Sequence, residues 1–299
     1  MAVPAAAELD LESSMLARAA RILYSFTAAT PELSMTDVVR RTGLPRSSVH
    51  RILDQLVQLK ALERSGVKYR LGLGLIELGA LAAHQNRLRE VALPFLHRLH
   101  AATGALVHLS ILDGHEIVYL EKIGGAPDGR APSRLGGRQP AYCTAAGKAM
   151  LAFAGEEKFA EVVAAGMTAR TPFTVTSPQV LRRELAGIRE RGVALDREEN
   201  HRGVACVAAA LRDGAGRPVA AISLSGPPNR LDPRALTPPL LTTSRAVWRA
   251  LFVPSRRAPA PAPAPAQEPA PERPRATAPH WSEEALSGMV TWSKRNDWM

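Results

Sequence analysis

The stretch Thr42-Gly-Leu-Pro-Arg-Ser-Ser-Val-His-Arg-Ile-Leu53 decides the fold of the first part of the chain. Its Thr-Gly pair ends one predicted helix, and Pro45 suits the first turn of the next. In that next helix, apolar residues at helical spacing form a single stripe: Val49, Ile52, Leu53, Leu56 and Val57. The opposite face carries hydrogen-bonding and basic residues: Arg46, Ser47, Ser48, His50 and Arg51. A helix of this kind is what a helix-turn-helix inserts into the DNA major groove.

The residues on either side complete a winged helix-turn-helix. Apolar residues recur at helical spacing over 11–26, which predicts a preceding helix. Ser34 with Asp37 three residues later resembles a capping box and starts the short helix that Thr42 ends. Further along, two short segments with basic residues flank Ser65-Gly66, which predicts a small β-hairpin, the wing.

This first domain is basic. Ten basic and five acidic residues lie between Leu11 and Leu71, and the whole chain has a net charge of +10 at pH 7. A basic excess favours a polyanionic partner such as double-stranded DNA. Charge alone also fits an ordinary soluble protein, and the polar face also fits the solvated side of an unrelated three-helix domain. Of the polar residues on that face, Arg51 best fits a structural role instead.

After the wing, the chain alternates strands and helices as far as about Phe252. This pattern predicts an α+β domain rather than a parallel doubly wound sheet. A connecting helix is predicted over 73–88. The further predicted elements are a helix over 91–102, a hairpin turning at Asp113-Gly114, helices over 144–153 and 180–191, strands over 204–211 and 219–225, and a helix over 233–252. The predicted domains are 11–73 for DNA binding, 74–88 as linker helix, 89–252 as second domain and 253–299 as tail.

The tail is dominated by alanine and proline from Pro254 to Pro279, a composition typical of polyproline II or disorder. Trp281–Met299 contains three tryptophans and fits either a short docking element or plain disorder. The amino-terminal residues lack the features of a signal peptide, and no segment approaches a membrane span. The two cysteines show no metal-binding pattern. We therefore expect a cytoplasmic protein with no membrane partner, no metal and no cofactor.

Catalytic motifs are missing from the sequence. Gly147-Lys148 is not a P-loop, because Tyr142 stands where that motif needs glycine. Cys143 with His108 or His201 is conceivable as a nucleophile pair, but nothing in the sequence fixes its geometry. We predict that the chain is not an enzyme. An architectural DNA-binding protein without a ligand is the other alternative, and it leaves the second domain unexplained.

In both halves the chain resembles the IclR family of bacterial transcriptional regulators. The resemblance runs from about Leu11 to about Phe252, and its motifs are specific in their order and spacing. They are the opening stretch, Tyr69-Arg-Leu-Gly72, and the segments 140–151, 191–196, 203–208 and 221–227. The resemblance implies a GAF-like effector-binding domain, no catalysis, and a homodimer or dimer of dimers on a palindromic operator. It also implies control of an adjacent, often catabolic operon by a small, often carboxylate-bearing metabolite.

The strand pair near the end of the second domain predicts part of a pocket. Its period of two residues places Ser223 and Ser225 on one face. If Asp213 to Gly216 form a four-residue loop, Cys206 lies directly opposite Ser223, and a slip of one residue would remove that match. Small residues that follow Thr144 also let a carboxylate approach a helix N-terminus.

The resemblance maps the family's effector contacts onto six residues: Ala145, Ala146, Asp196, Cys206, Ser223 and Ser225. Ala145 stands where the family often has glycine, which favours a tighter or different ligand. A bound anion would be repelled by Asp196, so this residue fits better as an acceptor from a ligand hydroxyl or as a residue that orients its loop. The alternative for Cys206 is a small buried hydrophobic residue, and for the serines ordinary strand positions.

Overall fold

The structure is a computed structural model that describes residues 14–125 and 133–253. The predictions for the tail from Pro254 onward, and for the first residues of the initial helix, lie outside the described residues.

The first domain has the predicted winged helix-turn-helix. Its elements are α1 (Met15–Tyr24), β1 (Glu32–Ser34), α2 (Met35–Thr42), α3 (Arg46–Gln58), β2 (Leu62–Ser65) and β3 (Lys68–Leu71). The capping box is present at α2: Ser34 Oγ accepts from the Asp37 N–H at 3.2 Å, and Asp37 Oδ2 accepts from the Ser34 N–H at 3.1 Å. The apolar stripe of α3 packs into one core with Ile22, Val38 and Leu62.

The wing differs from the prediction in two details. A third strand, β1, was not predicted and pairs with β3, which gives the order β1-β3-β2. The turn lies one residue later than expected, at Gly66-Val67, because Ser65 pairs with Lys68. Gly66 has a φ of +59° and takes the first turn position, where a left-handed backbone matches the twist of the two strands.

Two helices follow the wing. The predicted connecting helix, α4 (Leu73–Gln85), is shorter than expected, and α5 (Arg87–Thr103) begins directly after Asn86. Asn86 ends the first helix and caps the second, since its Oδ1 accepts from the Arg89 N–H at 3.0 Å. No residue of α4 is buried within this chain.

The second domain is built on a six-stranded antiparallel sheet, which confirms the α+β prediction. Its strands are β4 (Leu106–Asp113), β5 (Glu116–Ile123), β6 (Arg138–Pro140), β7 (Ala194–Arg197), β8 (Ala205–Arg212) and β9 (Pro218–Gly226), in the order β6-β5-β4-β9-β8-β7. The remaining helices are α6 (Ala145–Leu151), α7 (Gly155–Ala164), α8 (Pro178–Arg191) and α9 (Pro233–Phe252). Strands β6 and β7 and helix α7 were not predicted.

Alternation along the strands gives the sheet two apolar faces. One face, with Val107, Ile222 and Leu224, packs in a core with residues of α5 and α9. The other face, with Ala208 and Ala221, packs with α6, α7 and α8. As predicted, Ser223 and Ser225 do not share the face of Ile222 and Leu224.

The predicted pairing of Cys206 with Ser223 is wrong. Cys206 pairs with Ser225, and Ser223 pairs with Ala208. The loop between β8 and β9 has five residues, 213–217, because Arg212 pairs with Pro218. This is one residue more than assumed, and within the loop the Asp213 N–H donates to the Arg217 carbonyl at 2.9 Å. A β-bulge between Leu211 and Arg212 adds the second residue of displacement. A displacement of two residues keeps every side chain on its face, so the serines still share a face with Cys206.

Candidate functional site

The polar face of α3 is open to a partner. Arg46, Ser47, His50 and Arg51 are exposed, whereas Ser48 is half-buried at the edge of the apolar stripe. His50 Nδ1 lies 3.0 Å from Asp54 Oδ2 one turn later. The α3 residues Arg46, Ser47 and Arg51 make no side-chain hydrogen bond or ion pair with the described residues, so no contact of this kind supports the structural role predicted for Arg51.

Several other basic residues of the first domain are engaged within it. On the wing, Arg70 pairs with Glu63 at 2.7 Å and Lys68 lies 3.7 Å from Glu32. Arg41 Nη1 donates to the Ser25 carbonyl at 2.9 Å. The two ion pairs and the Arg41 hydrogen bond hold these side chains within the domain, whereas the exposed Arg46 and Arg51 of α3 are free to contact phosphates.

A cavity lies on the α6 side of the large sheet. Protein atoms leave about 450 Å³ there, including space open to solvent. The lining residues are Leu106, His108, Ile117, Tyr119, Ser133, Thr144, Ala145, Ala146, Asp196, Asn200, His201, Val204, Cys206, Ser223 and Ser225. All six residues that the resemblance mapped as effector contacts are among them.

The sheet register places the polar lining side by side. Asp196 on β7 pairs with Cys206 on β8, and Cys206 pairs with Ser225 on β9. The Sγ of Cys206 lies 3.1 Å from the Ser225 Oγ, which in turn lies 3.5 Å from His108 Nδ1. The other ring nitrogen, His108 Nε2, lies 2.8 Å from Ser133 Oγ. The side-chain contacts join Ser133 and the three neighbouring strands β8, β9 and β4 into one polar network, in which the hydroxyl groups can each donate or accept.

The amino-terminal end of α6 forms another wall. Thr144 caps the helix, because its Oγ1 accepts from the Gly147 N–H at 3.2 Å. The two preceding N–H groups, those of Ala145 and Ala146, belong to residues that line the cavity. Gly147 has to lack a side chain, since a Cβ there would lie 2.3 Å from the Ala141 carbonyl oxygen. This close approach fixes the first turn of α6 against the segment before it.

Asp196 holds the loop that follows β7. It is only 3% exposed, and its Oδ1 accepts from the Glu199 N–H at 2.7 Å. Burial raises the pKa of Asp196 to about 7, although the hydrogen bond from the Glu199 N–H acts in the opposite direction and lowers it. Asp196 therefore orients its loop, one of the two roles predicted for it, and exchanges a proton near neutral pH.

A buried lysine anchors the same loop, and the sequence reasoning missed it. Lys148 on α6 is 0% exposed, and its Nζ contacts Glu184 Oε1 at 2.7 Å. It also contacts both carboxylate oxygens of Glu199, at 2.6 and 2.7 Å. The signal was a lysine within a run of small and apolar residues, a position that needs an acidic partner when it is buried. Its partners, 36 and 51 residues away, gave no local signal.

Both histidines of the cavity are neutral. Burial lowers the pKa of His108 to about 3, with a smaller contribution from Lys122. Burial also lowers the pKa of His201, and Arg170 adds to that effect. His201 Nε2 is buried and has no hydrogen-bond partner in the part of the chain that the structure describes. An unsatisfied ring nitrogen in a cavity wall is a position for a ligand polar group.

The alternative of a cysteine nucleophile has no support in this geometry. Burial raises the pKa of Cys143 to about 12, and the nearby Asp196 adds to that effect, so the thiol stays protonated. Its Sγ lies 3.8 Å from Asn200 Oδ1 and 4.0 Å from the Pro140 carbonyl. Within the described residues it bonds to neither His108 nor His201.

Comparison with known proteins assigns both halves of the chain. Residues 15–66 match the IclR helix-turn-helix domain, and residues 80–249 match the carboxy-terminal domain of the bacterial transcriptional regulator IclR. The chain belongs to the IclR family of bacterial transcriptional regulators. The regulator XynR of Escherichia coli is 39% identical over 218 residues, which cover 72% of this chain and 86% of XynR. The Escherichia coli repressor IclR is 30% identical over 221 residues, which cover 72% of this chain and 81% of IclR.

A solved IclR-family structure also aligns over most of the chain. It is a homologue from Microbacterium hydrocarbonoxydans, crystallised in complex with 4-hydroxybenzoate. It aligns with a TM-score of 0.73 and 30% identity, covering 80% of this chain and 99% of the homologue. Membership of the IclR family makes the chain a DNA-binding transcriptional regulator with an effector domain, and not an enzyme. Within the described residues, no helix has both the length and the apolar character needed to cross a bilayer.

Proposed function

We propose that this IclR-family regulator binds a palindromic operator through α3 and that a small carboxylate-bearing metabolite in the cavity changes its affinity for that operator. We further propose that it acts in the cytoplasm on its own or an adjacent catabolic operon. The observation that carries the proposal is that one cavity gathers all six predicted effector residues, while α3 presents Arg46, Ser47, His50 and Arg51 to solvent.

The cavity favours a small acid held by neutral donors. Lys148 lies further along α6, is paired with Glu184 and Glu199, and is not among the lining residues. The donors available to a carboxylate are the N–H groups at the start of α6 and the hydroxyls of Ser223 and Ser225. A space of about 450 Å³ that is partly open to solvent suits a compact ligand, and the 4-hydroxybenzoate bound by the Microbacterium homologue is a compact hydroxy acid.

A ligand with a second polar group fits the rest of the lining. A carboxylate at the α6 end would leave Asp196 and the unpartnered His201 Nε2 for a hydroxyl group. A neutral imidazole nitrogen and a carboxyl of pKa about 7 both bind a hydroxyl without placing a second full charge beside the ligand. We therefore propose a small hydroxy acid as the effector class.

A homodimer, or a dimer of dimers, is supported by the surface of α4. Leu73, Ile76, Leu78 and Leu81 are 53%, 68%, 65% and 54% exposed, which is unusual for four large apolar side chains on one helix. Such a surface is typical of a protein interface. A second copy of the chain would also match the symmetry of a palindromic operator.

Paired variants test the two activities separately. In a gel-shift assay with DNA taken from upstream of the gene, we expect Arg46→Ala to weaken DNA binding and Ser223→Ala to leave it unchanged. The matched control is Arg234→Ala, which removes one positive charge from an exposed position on α9. Wild-type binding should weaken steeply as salt rises, because phosphate contacts release counterions. Salt-insensitive binding, or equal effects of Arg46→Ala and Arg234→Ala, would contradict the DNA assignment.

The effector half is tested by thermal shift with a panel of small carboxylates and hydroxy acids, 4-hydroxybenzoate among them. A compound that raises the unfolding temperature of the wild type should lose that effect in Ser223→Ala and keep it in Arg46→Ala. Stabilisation that survives Ser223→Ala unchanged would place the ligand outside this cavity.

A further inference from the structure

A second concave site lies apart from the effector cavity and shares none of its lining residues. It is formed by the end of α8, the hairpin between β8 and β9, and one side of α9. Protein atoms leave about 1500 Å³ there, including space open to solvent. We call it the arginine groove, after its five arginines: Arg189, Arg191, Arg212, Arg245 and Arg249.

The groove has a strong positive excess. Against its five arginines it has two acidic residues, Glu190 and Asp213. Asp213 is already engaged, since its Oδ2 lies 2.9 Å from Arg217 Nη2. Arg191, Arg245 and Arg249 make no ion pair or side-chain hydrogen bond with the described residues. Concentrated guanidinium groups without acidic partners fit an anion that carries more than one charge.

Two of the arginines are held in place. The Arg212 guanidinium stacks over the Phe153 ring at 4.3 Å from its centroid, and the Arg212 carbonyl accepts from Trp248 Nε1 at 2.8 Å. Arg189 Nη1 donates to the Ala152 carbonyl at 3.0 Å. Fixed guanidinium groups lose less conformational entropy when they bind an anion.

The lining of the groove contains an unsatisfied hydroxyl. Ser244 on α9 is only 7% exposed, lines the groove, and its Oγ has no hydrogen-bond partner among the described residues. A buried hydroxyl without a partner is uncommon and costs free energy unless a ligand or water satisfies it. A compact anion can approach this wall of the groove more closely than a broad protein surface can, which favours a small ligand as the partner.

We propose that the arginine groove binds a small phosphate-bearing anion, with guanidinium groups on the phosphate oxygens and the Ser244 hydroxyl as a further donor. Arginine forks match the geometry of phosphate oxygens, and the positive excess favours multiply charged phosphate over a monocarboxylate. The half-buried indole of Trp248 offers a face for a planar ring beside the phosphates. The regulator would then have a second chemical input, independent of the acid in the effector cavity.

Isothermal titration of the full chain with inorganic pyrophosphate and with adenosine diphosphate tests the proposal. We expect binding to the wild type that weakens about tenfold or more in Arg245→Ala/Arg249→Ala and in Ser244→Ala. Alanine suits the middle of α9, and Ser244 Oγ has no partner to lose, so these variants should fold. The matched control is Arg230→Ala/Arg234→Ala, which removes two exposed arginines outside the groove.

The two ligands separate two sources of the same phosphate chemistry. Equal affinities for pyrophosphate and adenosine diphosphate support recognition of the phosphates alone. Tighter binding of adenosine diphosphate supports stacking of its base on Trp248. Absence of binding, or equal losses in the groove and control variants, would overturn the proposal. A loss of operator binding in the groove variants as large as in Arg46→Ala would also overturn it, because the groove would then contact DNA. None of these results depends on the ligand of the effector cavity.

Discussion

Replacing Asp196 with asparagine should change how the stability of the protein depends on pH. Asp196 has an ordinary pKa of 3.8 and a pKa of about 7 in the folded protein, because burial disfavours its charged form. The folded state therefore binds a proton more tightly than the unfolded state. The contribution of the protonated Asp196 carboxyl to the free energy of unfolding is fully present below about pH 4 and is lost as the pH rises toward 7.

The size of the effect follows from the two pKa values. A shift of this size corresponds to roughly 4 kcal/mol between the two protonation states. Between pH 5 and pH 8, the wild type should lose roughly 2.5 kcal/mol of unfolding free energy from Asp196 alone. Asparagine does not titrate, and its Oδ1 can still accept from the Glu199 N–H, so Asp196→Asn removes this loss without removing the loop contact.

The wild-type profile by itself hides this effect because His108 titrates in the opposite direction. Its pKa falls from 6.5 to about 3 on folding, so its contribution to stability is lost as the pH falls below about 6.5. Over the same range this contributes roughly 2 kcal/mol of gain with rising pH. The informative quantity is therefore the difference between Asp196→Asn and the wild type at each pH.

Urea unfolding followed by circular dichroism from pH 5 to pH 8, at constant ionic strength, measures that difference. We expect it to move in favour of Asp196→Asn by roughly 2.5 kcal/mol across the range. Asp232→Asn is the matched control, because Asp232 is an exposed helix cap that asparagine replaces well. A difference that stays constant within about 0.5 kcal/mol would show that Asp196 is ionised throughout, and would refute the reasoning.

Three further variants test the framework around the two sites, each by urea unfolding. Lys148→Met should lower the unfolding free energy by about 3–5 kcal/mol, because it leaves the buried Glu199 carboxylate unpaired; a loss below about 1 kcal/mol would contradict that buried pairing. Gly147→Ala should cost roughly 1–3 kcal/mol through its clash with the Ala141 backbone, whereas Gly79→Ala, with open space around it, should be neutral or slightly stabilising. Ser34→Ala should lower the unfolding free energy by about 1 kcal/mol, because it removes the capping box, and should leave the thermal shift caused by a bound carboxylate ligand unchanged. An unchanged unfolding free energy would mean that water replaces the cap.

The sequence by itself determined the elements whose signals are local. The amphipathic stripe of α3, the Ser34–Asp37 cap and the alternation of β4 and β9 each depend on residues within a few positions of one another. Helical and strand periodicity are set by backbone geometry, so these patterns predicted the winged helix-turn-helix and the antiparallel domain. The same alternation correctly put Ser223 and Ser225 on one face.

Only the tertiary structure decided which distant residues meet. The five-residue loop and the bulge at Leu211 set the pairing of Cys206 with Ser225, because register depends on the exact path of the turn. Lys148 meets Glu199 only because α6 packs over the sheet, and its charge requires that partner once it is buried. Such contacts are selected by packing and desolvation over the whole domain, and no local stretch of sequence contains that information.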